Sequence, residues 1–222
     1  MVKNIIKLVL GLVLFSIGII MTLKAQIGYA PWDTFHYGLS ANIGLSYGVT
    51  AIIVGGVTVL IAVFLGEKIG IGTLLNMTVI GFLCDFILEN NFIHTPNILI
   101  FKVIMLLCGL LVMAFASFFY ISAGLGAGPR DSLMVGLAKK TKLPVGVCRN
   151  MIELTVMVIG WLLGGTVGLG TLLSAICMGI FIQWVFKLMK FDVKKVEHLT
   201  FAKMREKATS VPSAVSTSPV EL

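Results

Sequence analysis

Charged side chains are scarce in this chain: Asp, Glu, Lys and Arg together make up 12% of its 222 residues. Soluble domains carry about 25%, so the scarcity excludes an ordinary water-facing surface. Cysteine is sparse too, with Cys84, Cys108, Cys148 and Cys177 scattered and no C-x-x-C spacing. That excludes a disulfide framework or thiolate metal site and leaves each cysteine as a small core residue. His36, His94 and His198 are expected in loops or the tail, too scattered for a metal centre. There is no H-E-x-x-H, no Walker A loop, no dinucleotide fingerprint and no Ser/His pair placed for intramembrane proteolysis. No enzyme activity, metal or cofactor is expected.

What the chain has instead is apolar length. It is 58% hydrophobic with a mean hydropathy of +1.03, carried by long runs rather than amphipathic patterns, which marks a polytopic membrane protein. The predicted fold is all-α and transmembrane, with six spans near residues 5–23, 48–65, 71–88, 98–121, 145–163 and 171–188. Lys3 and Lys7 before the first run resemble a signal peptide. No A-x-A-like cleavage site follows, and the run is long enough to span, so it is kept as the first helix.

The net charge is +7, but the cations cluster in short loops and the tail. Six spans put Lys3, Lys7, Lys68, Arg130, Lys139, Lys140, Lys142, Arg149 and the cluster from Lys187 on one side, and only Lys24 and Lys102 on the other. Such asymmetry sets orientation, with both termini cytoplasmic. The expected partners are the lipid bilayer, a small-molecule or ion substrate, and a second copy in a homodimer; nucleic acid is not among them. Residues 191–222 are expected to form a basic tail, part surface helix and part disordered.

The most informative stretch occurs twice. Gly28, Pro31, Asp33 and Gly38 recur as Gly126, Pro129, Asp131 and Gly136, all offset by 98 residues. The same offset relates Gly11 to Gly109, Gly81 to Gly179, and Gly70-x-Gly72-Thr73-Leu74-Leu75 to Gly168-x-Gly170-Thr171-Leu172-Leu173. A gapless match of this kind is a tandem duplication, dividing the chain into a three-helix repeat at 1–93, a second at 94–190, and the tail. Three spans is an odd number, so the repeats are expected to be inverted, each with a short broken or interfacial helix after its first span.

Proline at the first helical position sets each short helix, and the aspartate two residues on lies near its positive end. Asp33 and Asp131 therefore either stabilise helix starts or line a path through the membrane. Arg130 stands where the first repeat has Trp32, a residue suited to an interfacial anchor. It serves topology, pairs with Glu153, or receives an anionic group. Glu153 falls mid-span, where an ionisable group is a functional candidate; Arg149, four residues earlier, offers a local partner. Asn76 bonds between helices or faces a ligand, and Asp85, near a span end, reads as solvated. Gly66-x-x-x-Gly70 and Gly160-x-x-x-Gly164 have the spacing of close helix contacts.

Through the doubled G-x-x-P-x-D motif, the Gly-x-Gly-Thr-Leu-Leu pair and Arg149–Glu153, the chain resembles the YczE/YyaS/YitT group of bacterial integral membrane proteins, closest to its YczE-like branch. The likeness runs from Ile5 to Lys187. It implies a multi-pass protein of the bacterial cytoplasmic membrane with no established activity, and supplies no catalytic residues. The residues point first to a small secondary transporter or channel, with Asp33, Asp131, Arg130, Glu153, Arg149 and Asn76 as path or binding candidates. The alternative is an accessory protein that binds or stabilises a partner.

Overall fold

The structure, a computed structural model, describes residues 2–126, 128–143 and 145–191, with the side chains of residues 145 and 146 outside that set. The expected tail, from residue 192 on, and Ala127 of the second motif also lie outside the described residues. The described residues form eight α-helices: α1 (Val2–Lys24), α2 (Pro31–Ile43), α3 (Tyr47–Phe64), α4 (Ile71–Glu89), α5 (Leu99–Ser122), α6 (Pro129–Thr141), α7 (Val145–Leu162) and α8 (Leu169–Leu188). Five of them, α1, α3, α4, α5 and α8, are long and apolar enough to cross a membrane. The segment expected as a further span is helical, as α7, but is not among those five; it carries Arg149, Asn150 and Glu153 in its first half.

Helices α2 and α6 are the two short elements the motifs predict. Both start with proline as the first helical residue and run 13 residues, about 20 Å at helical rise. The fixed φ of proline suits that position, where its missing N–H costs nothing. Helix α2 ends on Gly44 in the left-handed conformation, whose N–H returns to the Ser40 carbonyl.

The core is the pair α1 and α5. Gly11 lies against Ala116 and Tyr120, and Gly18 against Gly109 and Met113, so the two helices run antiparallel. A methyl on Gly109 would fall 2.9 Å from the Gly18 carbonyl oxygen, which shows how closely the backbones approach. Leu8, Leu12, Ile19 and Ile20 of α1 fill the core with Met113, Ile80 and Cys84. Around this pair, contacts follow the offset: α4 packs on α1 as α8 packs on α5, and α6 lies on α3 as α2 lies on α7. One equivalence fails. Helix α3 packs along α4, whereas α7 and α8 scarcely touch.

The two duplicated motifs meet each other across the halves. The Gly170 N–H donates to the Ile27 carbonyl at 2.6 Å, and the Gly72 N–H donates to the Leu125 carbonyl at 2.8 Å. Beside these bonds, Gly28 (φ +109°) sits on Gly168 and Thr171, and Gly126 (φ +139°) on Gly70 and Thr73. Both positions need glycine for two reasons: the backbone conformation is unfavourable for other residues, and a side chain would strike the facing helix start. The threonines finish each cap, accepting from the N–H of Gly70 at 3.4 Å and of Gly168 at 3.2 Å. Each half thus supplies the loop that closes the other half's last helix.

Two structural expectations are corrected. Asp85 is not simply solvated; its carboxylate accepts from the N–H groups of Gly48 at 2.6 Å and Val49 at 3.2 Å and from the Ser46 hydroxyl, capping α3. The two G-x-x-x-G spacings give close helix contact at one glycine only. Gly160 packs beneath Thr34 and Phe35, while Gly66 and Gly164 are left-handed turn residues with open space where a side chain would point.

Gly72→Val should lower thermal stability in detergent, by about 1–3 kcal/mol or more, because its Cβ would fall 2.9 Å from the Leu125 carbonyl. Gly56→Ala, with nothing within 4 Å, should leave the melting temperature unchanged or raise it. Equal melting of both variants would break the link between the docked loop and stability.

Candidate functional site

The N-termini of α2 and α6 open onto one cavity of ≈ 550 Å³, inside the roughly 300–1,000 Å³ range of small-molecule sites. Asp33, Asp131, Arg130, Glu153, Arg149 and Asn76, the six candidates named from the sequence, all line it. They come from four helices and from both halves. Of the motif residues, Pro31 and Pro129 also reach the cavity wall. Gly28 and Gly126 are spent in loop docking, and Gly38 and Gly136 in close packing against α7 and the end of α3.

The two aspartates are held by tyrosines rather than by cap hydrogen bonds. Asp33, 1% exposed, accepts from the Tyr47 hydroxyl at 2.9 Å. Asp131, partly buried, accepts from the Tyr120 hydroxyl at 2.9 Å. These tyrosines are not offset counterparts: position 145 holds valine and position 22 threonine. The halves therefore arrived at similar carboxylate partners from different elements.

Arg130 joins the two short helices. Its guanidinium lies 3.8 Å from Asp33 and 4.8 Å from the centre of the Trp32 ring. At 3.8 Å the ion pair is too long for a hydrogen bond, so charge attraction and the ring face hold the cation together. Two expectations change as a result. Arg130 does not pair with Glu153, and Trp32 is not an interfacial anchor but a buried platform, 7% exposed. The substitution of Trp by Arg between the halves reads as one stacked pair divided between them.

Glu153 takes its local partner, with Arg149 Nε donating to its carboxylate at 2.9 Å. The i, i+4 spacing makes this contact geometrically easy. Two buried polar side chains in the cavity wall have an atom without a hydrogen-bond partner: Nδ1 of His36 and Oγ of Ser174. His36 lies inside α2, not in a loop, and is 3% exposed. It stands three residues after Asp33, which places both on one face of α2. Ser174 is the offset counterpart of Asn76, so the repeat already pointed to it.

Comparison with known proteins places this chain in a family. A model described as a family of unknown function (DUF6198) matches residues 2–187. The uncharacterized membrane protein YczE of Bacillus subtilis (strain 168) is 38% identical over 182 residues, 78% of this chain and 81% of that protein. An uncharacterized protein of Haemophilus influenzae (strain ATCC 51907 / DSM 11121 / KW20 / Rd) is 30% identical over 201 residues, covering 90% and 89%. The uncharacterized protein YyaS of Bacillus subtilis (strain 168) is 26% identical over 181 residues, covering 80% and 89%. No solved structure matches the chain.

Removing one member of the Arg130–Asp33 contact should cost more than removing both. Arg130→Met leaves the Asp33 carboxylate buried with Tyr47 alone and should destabilise by about 1–3 kcal/mol. The double variant Arg130→Met with Asp33→Asn should recover part of that loss. Chemical or thermal unfolding in detergent reads the cycle; additive losses would mean that the two groups do not interact.

Proposed function

The chain belongs to the DUF6198 family of multi-pass membrane proteins, and we propose that it is a small secondary transporter or channel. Its substrate is a small molecule or ion, and its path runs through the cavity between α2 and α6. One observation carries this reading: two motifs 98 residues apart, one from each half, bring their helix starts to a single cavity that also holds the mid-span carboxylate. Broken segments whose N-termini face a central site are how secondary transporters hold polar cargo at membrane depth. Irregular backbone is tolerated there only when protein or a water-filled cavity covers it.

Counting α7 as a sixth span makes residues 1–93 and 94–190 inverted three-span repeats with both termini cytoplasmic, in a bacterial plasma membrane. The antiparallel course of α1 and α5, which are offset equivalents, supports that topology. On it, α2 and α6 dip inward from opposite faces, and Asp33 and Asp131 serve the path from either side. The accessory-protein reading draws less support. Its working surfaces would be the basic tail and glycine faces; Gly11, Gly18, Gly109 and Gly160 are occupied inside the molecule, while Gly56 and Gly179 are open.

Reconstituted protein tests the reading by uptake into vesicles, screened across ions and small metabolites. Asp131→Asn and Glu153→Gln should abolish any uptake the unmodified protein shows, with expression and melting temperature preserved. Truncation after Lys190 should leave uptake intact. If truncation destroys activity while both carboxylate variants keep it, the transport reading falls and the accessory reading stands.

A further inference from the structure

The one place where offset equivalence fails is the place where the cavity meets the outside of the bundle. In the first half, α3 and α4 close on each other. A methyl on Gly81 would fall 2.7 Å from the Gly48 carbonyl oxygen, and one on Gly55 would fall 2.9 Å from the Met77 Cβ. Asp85 ties the same ends together through the α3 cap. In the second half the glycine pair is kept as Gly146 and Gly179, but its surroundings are replaced: Glu153 stands for Gly55, Asn150 for Ile52, Ala175 for Met77 and Gln183 for Asp85. A charged side chain now stands where Gly55 met Met77, and the opposing methionine has shrunk to alanine. Gly179, the counterpart of Gly81, has nothing within 4 Å.

Burial follows the same division. Val54 and Cys84 are buried, whereas their counterparts Ile152 and Ile182 are only half-buried; Gly81 is buried and Gly179 exposed. Among the described helices, α8 packs on α5 and α7 packs on α2 and α6, so the gap breaks the circuit of helices around the cavity. It is shut at one end, where Ile27 and Gly28 dock on Gly168–Thr171. Its two walls differ in chemistry. Arg149, Asn150 and Glu153 line the α7 side, and Met178, Ile182 and Phe186 line the α8 side. The outer flank of α8 beside it, Ile176, Ile180 and Trp184, is apolar and exposed.

We infer that the α7–α8 cleft admits a membrane amphiphile of the phospholipid class. Its acyl chain lies along the α8 wall, and its phosphate head reaches the guanidinium groups of Arg149 and Arg130. A slot with one polar and one apolar wall, opening sideways from a helix bundle, matches an amphiphile better than a small hydrophilic solute, which would leave the α8 wall wet. The Arg149 side chain is 45% exposed despite its bond to Glu153, which leaves guanidinium donors for a phosphate. The unpartnered Ser174 hydroxyl and His36 Nδ1 lie deeper in the same cavity. This access route deepens the transport reading by naming a substrate class, and presupposes that the cavity is a ligand site.

Trp32, on the cavity wall, is the reporter. With Trp161 and Trp184 changed to phenylalanine it is the sole tryptophan, and it can be followed in vesicles of phosphatidylglycerol carrying brominated acyl chains. Emission should fall relative to the same lipid without bromine. Gly179→Phe, which fills the open space, should restore it, and so should Ala175→Met, which puts back the residue of the closed pair. Two fillings at separate positions keep one misfolded variant from deciding the result. Bromolipid quenching that neither filling changes overturns the inference. So does quenching by aqueous iodide alone, which makes the cleft a water-filled vestibule. Cross-linking of Ile180→Cys between two copies would make it a subunit interface, with the same consequence. The readout needs no turnover, so this inference and the transport reading can fail separately.

Discussion

Two backbone hydrogen bonds hold this molecule to its shape: Gly170 to Ile27 and Gly72 to Leu125. Each joins a motif loop of one half to the first turn of the last helix of the other. A helix start presents N–H groups with no partner inside the helix, and burying one without a partner costs about 1–3 kcal/mol. The exchanged loops supply carbonyls where those donors point. Gly28, Gly72, Gly126, Gly168 and Gly170 follow from this requirement, because a side chain at any of them would strike the facing loop or helix start. The cavity follows as well, since docking the loops aims α2 and α6 toward one another.

Within that symmetric frame the chemistry is lopsided. The first half contributes a buried carboxylate, an aromatic platform and a sealed helix pair; the second contributes both guanidinium groups and the partly exposed carboxylates. Arg130 over Trp32 and beside Asp33 is the point where the two contributions join. Duplication provided two equivalent positions, and divergence made them complementary, cation on one side and ring plus anion on the other. The same divergence placed Glu153 where Gly55 had allowed close packing.

Much of the fold was legible in the sequence because hydropathy and punctuation are local. Helix ends fell within a few residues of expectation, since Pro31, Pro129, Gly44 and the Gly-x-Gly-Thr starts are strong boundary signals. The repeat was legible because its offset never changes. The partnership between its two motifs was not, since nothing local says that Gly28 belongs with Gly168 rather than with its own half. Trp32 was misread, and its stacking with Arg130 went unseen, for a related reason: tryptophan has a common role at a membrane surface, and only the juxtaposition shows another. Asp85 looked solvated because its position near a helix end is visible in the sequence, while the α3 start it caps is 37 residues away. His36 was passed over as a loop residue because the short helix was not carried through as a face shared with Asp33.

The exchanged loops also bear on how the protein comes to exist. A ribosome releases the first half long before the second, and until α8 emerges the Ile27 carbonyl and Gly28 have nothing to dock on. The early chain must therefore persist in the bilayer as an unfinished object, with α4 still lacking the loop that closes its start. Completion comes in two steps: the loop at Leu125 closes the start of α4 first, and α8 later docks its own start on Ile27. The contact made last is the one between the first loop and the last helix, so the two ends of the described chain close the fold together.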